Sequence, residues 1–455
     1  MNRTRPRQQG AADSWLTDDL VIASRERQRE PELAAATIEA AMAAPLPTRS
    51  ARYDVIVLPG SSQATTTSLN LLERLFTAHH HRVFWLDGAS QPTLDRLAAL
   101  RQAEGIAAAI LVTADASRPD VVQEARARWG WRGVAIATSG ADLRGIDVPL
   151  PPAQIAAAVE EISAAEPEAT PAAAWSTIDR AIRAAFPKAS VAVLTHDNLA
   201  FTRLCLESLL ANTEYPNYEL LIVDNASADG TPAYLRELGQ RFPWVRPIFN
   251  DRNAGFGPGN NQALAAATGE ILVLLNNDTM LPRGWLSRLA HHLTDPRLGL
   301  IGPATNRTCN EAQVEAPYAT YGDFLRFAEA RAVTYDGMRH EIRMPMMFCT
   351  AFRRDILDQI GPLDERFETG MFEDEDYALR VQAAGFQVAW APDVYVHHAY
   401  HASIGKLLPS GRYTALFKAN QQRFEEKWGI CWERHRPAPT APSPLATAGC
   451  IDPDI

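Results

Sequence analysis

The stretch Ile271-Leu272-Val273-Leu274-Leu275 is apolar without a break and stops abruptly at Asn276-Asn277-Asp278. An unbroken run of branched apolar residues predicts a strand buried on both faces, as in a parallel sheet. Similar runs occur at Ser190 to Leu194, Tyr218 to Val223 and Arg246 to Phe249. Helical patterns at Leu199 to Leu210, Thr231 to Arg241 and Gly259 to Thr268 separate them. This alternation predicts an α/β sheet whose ligands bind beyond the carboxyl ends of the strands. Asp278 then lies at the rim of a ligand crevice or, on the blander reading, in a turn made of Asn, Asp, Pro282 and Gly284.

A second alternation comes earlier. Tyr53 to Gly60, Arg82 to Leu86, Ile106 to Thr113 and Gly133 to Ala137 read as strands, with Leu69 to Ala78 and Val121 to Trp129 as helices. Residues 51–145 are therefore expected to form a small Rossmann-like α/β domain. Residues 1–50 mix charge, Ala and Pro around one helical stretch, Pro31 to Ala44, and read as a loosely attached arm. Residues 146–189 carry Pro149, Pro151, Pro152, Pro167 and Pro171 and read as a linker with helices such as Ile155 to Ala164. The larger domain is expected at 190–435, with a disordered tail at 436–455.

The net charge of -10 argues against non-specific nucleic-acid binding but not against a nucleotide held through a metal. Five cysteines, Cys205, Cys309, Cys349, Cys431 and Cys450, show neither a disulfide framework nor zinc spacing, which suits a reducing compartment. Met1 to Gly10 leads into no apolar core, so no secretory signal is read there. No apolar run approaches the ~20 residues that span a bilayer. The expectation is a cytoplasmic protein, with a peripheral contact at the inner face of the membrane and a homo-oligomer both left open.

Four groups of residues suggest chemistry. Asp224 emerges first from its strand and leans towards a nucleotide contact, while Asp229 divides evenly between that role and a helix cap. Asn253-Ala254-Gly255-Phe256-Gly257-Pro258-Gly259-Asn260 is a glycine-rich entry to a helix, suited to phosphate or ribose oxygens or to a simple tight turn. Glu373-Asp374-Glu375-Asp376 opens a helical pattern. The helix dipole favours acids there, yet four in a row crowd like charges, which raises a carboxylate towards general-base duty. His397, His398 and His401 follow an apolar strand, and a ligand role for one of them would join Asp278 to a divalent cation.

Taken in order, Val193 to Asn198, Val223 to Ser227, Asn253 to Phe256, Leu275 to Asp278, Phe372 to Asp376, and His398 with Ser403 resemble the family 2 glycosyltransferases with a GT-A fold, particularly bacterial rhamnosyltransferase-like members. The resemblance covers residues 190 to about 430. It implies a mixed, mostly parallel sheet with helices on both faces, and a nucleotide-diphosphate sugar donor, UDP- or dTDP-linked. The acceptor would be a hydroxyl of a glycan, lipid-linked or other molecule in polysaccharide or glycoconjugate assembly. Thr195 and Asp224 match positions that hold base and ribose, with Asp197 and Asn253 nearby; Gly255, Asn260 and Asn277 complete the expected donor contacts. Asp278 matches the last acid of the family's Asp-x-Asp motif, and His398, five residues before Ser403, matches its metal-binding His, so Mg²⁺ or Mn²⁺ is implied. Asp374 matches the catalytic base, flanked by Glu373 and Asp376, and the implied reaction is an inverting displacement.

Two positions depart from the pattern. Asn276 replaces the motif's first acid with a neutral, weaker ligand, and His196 stands where Tyr is usual. Met344 to Arg354 resembles the family's acceptor-side strand, although a plain core strand reads equally well. The competing classes are a silent scaffold on the same fold and a sugar-nucleotide pyrophosphorylase. The first is countered by Asp224, Asp278, Asp374 and His398 occurring together, the second by the opening Thr195-His196-Asp197-Asn198.

Overall fold

The computed structural model describes residues 15–22, 35–47, 53–58, 63–78, 81–86, 93–106, 108–113, 119–135, 148–150, 153–157, 173–399 and 412–434. In its first sheet, β1 (Asp54–Leu58), β2 (Arg82–Trp85), β3 (Ala109–Thr113), β4 (Arg132–Ala135) and β5 (Val148–Pro149) run parallel in the order β2-β1-β3-β4-β5. Val55 and Val57 enter one apolar cluster while Ile56 and Leu58 enter another, because alternate side chains leave opposite faces of a strand. This unit outruns its expected end at 145. β5 and the helix Ala173–Ala184 come from the Pro- and Ala-rich stretch read as a linker, and Val148, Leu150, Ile155, Ile178, Ile182 and Phe186 are buried. A two-residue strand is too short to show a period. The expected helix beyond 157 and the tail from 436 lie outside the described residues.

The larger sheet contains β6 (Ala189–Thr195), β7 (Tyr218–Asp224), β8 (Val245–Phe249), β9 (Ile271–Asn276), β11 (Leu298–Ala304), β12 (His340–Glu341), β13 (Cys349–Arg353) and β14 (Gln387–Tyr395). Its order is β12-β14-β11-β13-β9-β6-β7-β8. β9, β6, β7 and β8 are parallel, β13 is antiparallel to both its neighbours, and β14 is parallel to β11. This is the mixed, mostly parallel sheet expected of the GT-A fold. A separate ribbon pairs β10 (Thr279–Met280) with β15 (His397–His398). Val191, Val193, Ile222, Val273 and Leu275 pack to one side of the sheet, and Ala192, Leu221, Leu272 and Leu274 to the other. The first of these clusters continues into the smaller unit through Phe186, Ile182 and Leu72, so the two units share a core.

Ion pairs reinforce that boundary. Asp54, 1% exposed, receives Arg82 of its own sheet at 2.6 Å and Arg283 of the larger unit at 3.0 Å. Asp336 binds both Arg101 and Arg288, the latter at 2.8 Å.

The arm is not loosely attached where it is described. Leu16 and Ile22 are buried with Phe324 and Tyr395, Ile22 donates its backbone N–H to Ala319, and Trp15 donates its indole N–H to Glu207 at 2.6 Å. The helix Ala35–Ala43 lies against the helix Leu199–Asn212, and Arg203 reaches the Pro45 carbonyl. Segments this short carry no period, so their few apolar anchors are invisible until the surface they cover exists. Cys205, Cys349 and Cys431 are free thiols, whereas Cys309 is disulfide-bonded, contrary to the reading from cysteine spacing.

Candidate active site

Register places three strand ends at one level. Thr195 pairs with Asp224, and Leu194 with Asn276, so β6, β7 and β9 deliver their polar terminal residues to the same edge of the sheet. The Asp224 carboxylate is buried and accepts from the Ser227 hydroxyl at 2.5 Å and from its N–H at 3.3 Å. Ser227 in turn accepts from the Asp197 N–H at 2.7 Å, while the Asp197 carboxylate accepts from the Ala228 N–H at 2.7 Å. The two loops are thereby locked together, with Asp197, Asn198 and Ala226 in left-handed conformations that side chains adopt only under constraint. Asp229 settles as a structural residue, accepting from the N–H groups of Leu199 and Thr231 at the starts of two helices.

The Thr195 hydroxyl is 2.9 Å from the Thr202 hydroxyl, and the Asn277 amide donates to both, at 3.2 and 3.0 Å. Thr195 and Asn277, expected to touch the donor, thus spend these polar groups on tying β6 and β9 to the helix Leu199–Asn212. Asn260 is also turned inward, donating to the Phe256 carbonyl at 3.0 Å. Asn253 is exposed and its side chain accepts from the Gly255 N–H at 2.9 Å, closing the turn. Gly255 has φ 89, and a side chain there would also press on Thr369, its Cβ 3.4 Å from that backbone nitrogen.

Beyond β9, Asn276 donates its backbone N–H to the Phe348 carbonyl, and its own carbonyl accepts from Thr279. Pairing of Thr279 with His398 brings His398 Nε2 within 3.4 Å of Asp278 Oδ1, each side chain about one-tenth exposed. The Phe348 ring stacks on His398 with centroids 4.7 Å apart, and Asn306 bonds both the N–H and the carbonyl of His398. The neighbouring His397 bonds Tyr318 at 2.7 Å, and burial pushes its pKa down to about 3, so it stays neutral. His401 and Ser403 lie outside the described residues.

Carboxylate oxygen and imidazole nitrogen together suit a divalent first-row cation or Mg²⁺. Among the described residues no three or more His, Cys, Asp and Glu side chains are arranged so as to hold a metal ion by themselves. A cation here would draw its remaining ligands from the amide of Asn276, from water or from a bound diphosphate. The residues fit on those terms.

Residues 190–361 match the sequence profile of Glycosyl transferase family 2. This segment is a family 2 glycosyltransferase domain. Among its relatives, the O-antigen biosynthesis protein RfbC of Myxococcus xanthus is 28% identical over 51% of this chain and 19% of that protein. The glycosyltransferase AglE of Haloferax volcanii is 23% identical over 47% of this chain and 67% of its own length. The mannosyltransferase PcManGT of Pyrobaculum calidifontis, solved with GDP-Man and Mn²⁺, aligns over 52% of this chain and 65% of that chain, with 21% identity and a TM-score of 0.39. The chain spans only 28% and 19% of the length of two of the curated relatives it matches.

The glycosyltransferase match ends before the acidic helix Glu373–Ala383 and before His398. The segment entering that helix nevertheless lies beside the glycine-rich turn. A Cβ built on Gly370 lies 3.6 Å from Phe256 Cβ and 3.8 Å from Glu373 Oε1. The segment entering the helix is strained, with φ 66 at Thr369, 78 at Met371 and 73 at Phe372. All four acids are buried, and their roles differ. Glu375 binds Arg343 and accepts from Trp432, and Asp376 accepts from Arg380, Lys427 and Trp428. Asp376, expected beside the base, is therefore a structural anchor.

Burial first, and the neighbouring Glu375 charge second, raises the pKa of Asp374 to about 7. Burial and then Asp374 raise Glu373 to about 8, and Glu373 Oε2 has no hydrogen-bond partner. Charge crowding, the cause read from the sequence, ranks behind desolvation. Sequence reasoning missed Thr202 and Asn306, and took Phe348 only as part of the stretch Met344 to Arg354. Only Ser227 carried a signal, three positions after Asp224 where an Asx-type turn would place it.

Proposed function

We propose that the chain is an inverting glycosyltransferase that moves a sugar from a UDP- or dTDP-linked donor to a hydroxyl acceptor in glycan assembly. The observation that carries the reading is Asp374, a buried carboxylate whose pKa is raised to about 7, on a helix whose entering segment, Thr369 and Gly370, lies beside the glycine-rich turn. A general base works best with a pKa near the working pH. The family 2 match and a relative named for O-antigen biosynthesis support the transfer chemistry and its setting.

In this reading Asp224 and Asp197, held by Ser227 and Ala228, present the floor for base and ribose. Asp278 and His398, with the weaker amide of Asn276, would hold a Mg²⁺ or Mn²⁺ ion, and such an ion neutralises charge on a departing diphosphate. Asp374 accepts the proton of the acceptor hydroxyl as that oxygen attacks the anomeric carbon from the face opposite the diphosphate. Burial and the charge of Asp374 raise the proton affinity of Glu373, which disfavours a second negative charge beside the base. Among the described residues no helix is long and apolar enough to cross a membrane, and a peripheral encounter with a lipid-linked acceptor belongs to the proposal.

The test is a screen of UDP- and dTDP-sugars with Mg²⁺ or Mn²⁺, following nucleoside diphosphate release. General-base help is worth ~10²- to 10⁴-fold, so Asp374→Asn should remain folded and lose activity by that factor. Full activity in that variant would remove the base assignment. Failure of every nucleotide and nucleotide sugar to bind would remove the transferase reading itself.

A further inference from the structure

We infer that the C-terminal helix Arg412–Trp428 and the turn to Trp432, beyond the family-matched residues, are positioning elements of the active site: they shape the left-handed entry to the acidic helix and anchor Glu375 and Asp376, leaving Glu373 and Asp374 for chemistry. The inference rests on the transferase reading, which names Asp374 as the base.

Asn420 is the anchor of the entry segment. It is fully buried, and its amide nitrogen lies 2.8 Å from the Gly370 carbonyl, 3.1 Å from that of Glu368 and 3.4 Å from that of Met371. Arg423 donates to its oxygen at 2.7 Å, which fixes which end of the amide faces the loop. Left-handed backbone at Thr369, Met371 and Phe372 is unfavourable for side-chain-bearing residues and persists only where surrounding structure over-determines it. Asn420 supplies that restraint from above, and Phe372 is gripped by Phe417, Phe424 and Trp432 at 5.1 to 5.4 Å between ring centroids.

The same helix sorts the acids by charge. Lys427 lies 2.5 Å from Asp376 and 2.6 Å from Asp364, and Trp428 Nε1 donates to Asp376 at 3.0 Å. Trp432 Nε1 donates to Glu375 at 2.7 Å. Besides these, Arg380 of the acidic helix faces Asp376, and Arg343 faces Glu375. Negative charge at Glu375 raises the pKa of Asp374, and charge at Asp376 raises that of Glu373. Every cation or N–H brought by the C-terminal segment offsets part of that charge and so holds the proton affinity of the Glu373–Asp374 pair lower than it would otherwise stand.

The experiment is a pH titration of the full chain by difference infrared spectroscopy, reading the protonated-carboxyl band assigned by its loss in Asp374→Asn and Glu373→Gln. In Lys427→Met the unmasked Asp376 charge should move the band's midpoint up by roughly one pH unit, and Lys427→Arg should restore it. Trp432→Phe, which keeps the ring and removes the donor to Glu375, should give a smaller shift in the same direction and serves if Lys427→Met does not fold by circular dichroism. A midpoint unmoved in the folded variants overturns the inference. The readout does not depend on turnover, so an unchanged midpoint in an active enzyme and a shifted midpoint in a protein that consumes no nucleotide sugar separate failure of this inference from failure of the transferase reading.

Discussion

Replacing Glu373 with Gln should stabilise the protein at high pH and destabilise it at low pH. Glu373 is buried at the start of its helix with Oε2 unpartnered, and its pKa rises from 4.5 to about 8 through burial and the charge of Asp374. The folded state therefore binds this proton more tightly than the unfolded chain does. Between about pH 4.5 and about pH 8 the native state holds more protons, so stability falls as pH rises across that window and stays reduced above it. A gap of about 3.5 pH units at ~1.4 kcal/mol each sets a ceiling of ~5 kcal/mol.

Two effects oppose the gain from Gln. A carboxylate at a helix N-terminus is favoured by ~0.3–1 kcal/mol, and a buried amide without partners retains ~1–3 kcal/mol of its own desolvation penalty. The balance is a stabilisation of ~2 kcal/mol at about pH 9 that falls by ~4 kcal/mol and reverses to a destabilisation of ~2 kcal/mol at about pH 5, where the native wild type holds its proton and only the cost of the buried amide remains. Thermal unfolding by circular dichroism at the two pH values measures it, at ~2–4 °C per kcal/mol. A variant equally stable or less stable than wild type at about pH 9, with no trend towards pH 5, would refute the buried, proton-retaining state of Glu373.

Asp278→Ala removes the carboxylate 3.4 Å from His398, so any thermal stabilisation by Mn²⁺ with UDP in the wild type should vanish in the variant; survival of the Mn²⁺ effect would place the metal elsewhere. Trp15→Ala deletes an indole bonded to Glu207 and should cost ~2–4 kcal/mol while opening residues 15–47 to limited proteolysis, whereas unchanged protease resistance would contradict the docked arm. Asp336→Ala strands the mostly buried Arg101 and leaves Arg288 only Asp393, 3.7 Å away, and should cost ~3 kcal/mol in urea unfolding; a loss below ~1 kcal/mol would mean that Arg101 finds water instead.

Much of the larger domain was legible because its signals are local. Val191, Leu221 and Val273 belong to runs with no polar interruption, and a strand buried on both faces admits nothing else. Chain order then set Asp224 and Asn276 at strand ends, and the register brought those ends level. The pairing of Asp278 with His398 was expected as a shared metal role, and the ribbon β10–β15 supplies the contact.

What the sequence by itself determined is which side chains lie in strands, which sit at their ends, and which acids open a helix, because these depend on periods of two and 3.6 residues and on neighbours along the chain. Tertiary structure alone decided the fate of each polar group. Thr195 and Asn277 look as available as Asp224 until Thr202 is placed against them, and Asp376 looks as reactive as Asp374 until Lys427 and Trp428 arrive from some fifty residues downstream. Burial and hydrogen-bond satisfaction are set by groups distant in the chain, and they select Asp374 and Glu373 from four similar acids.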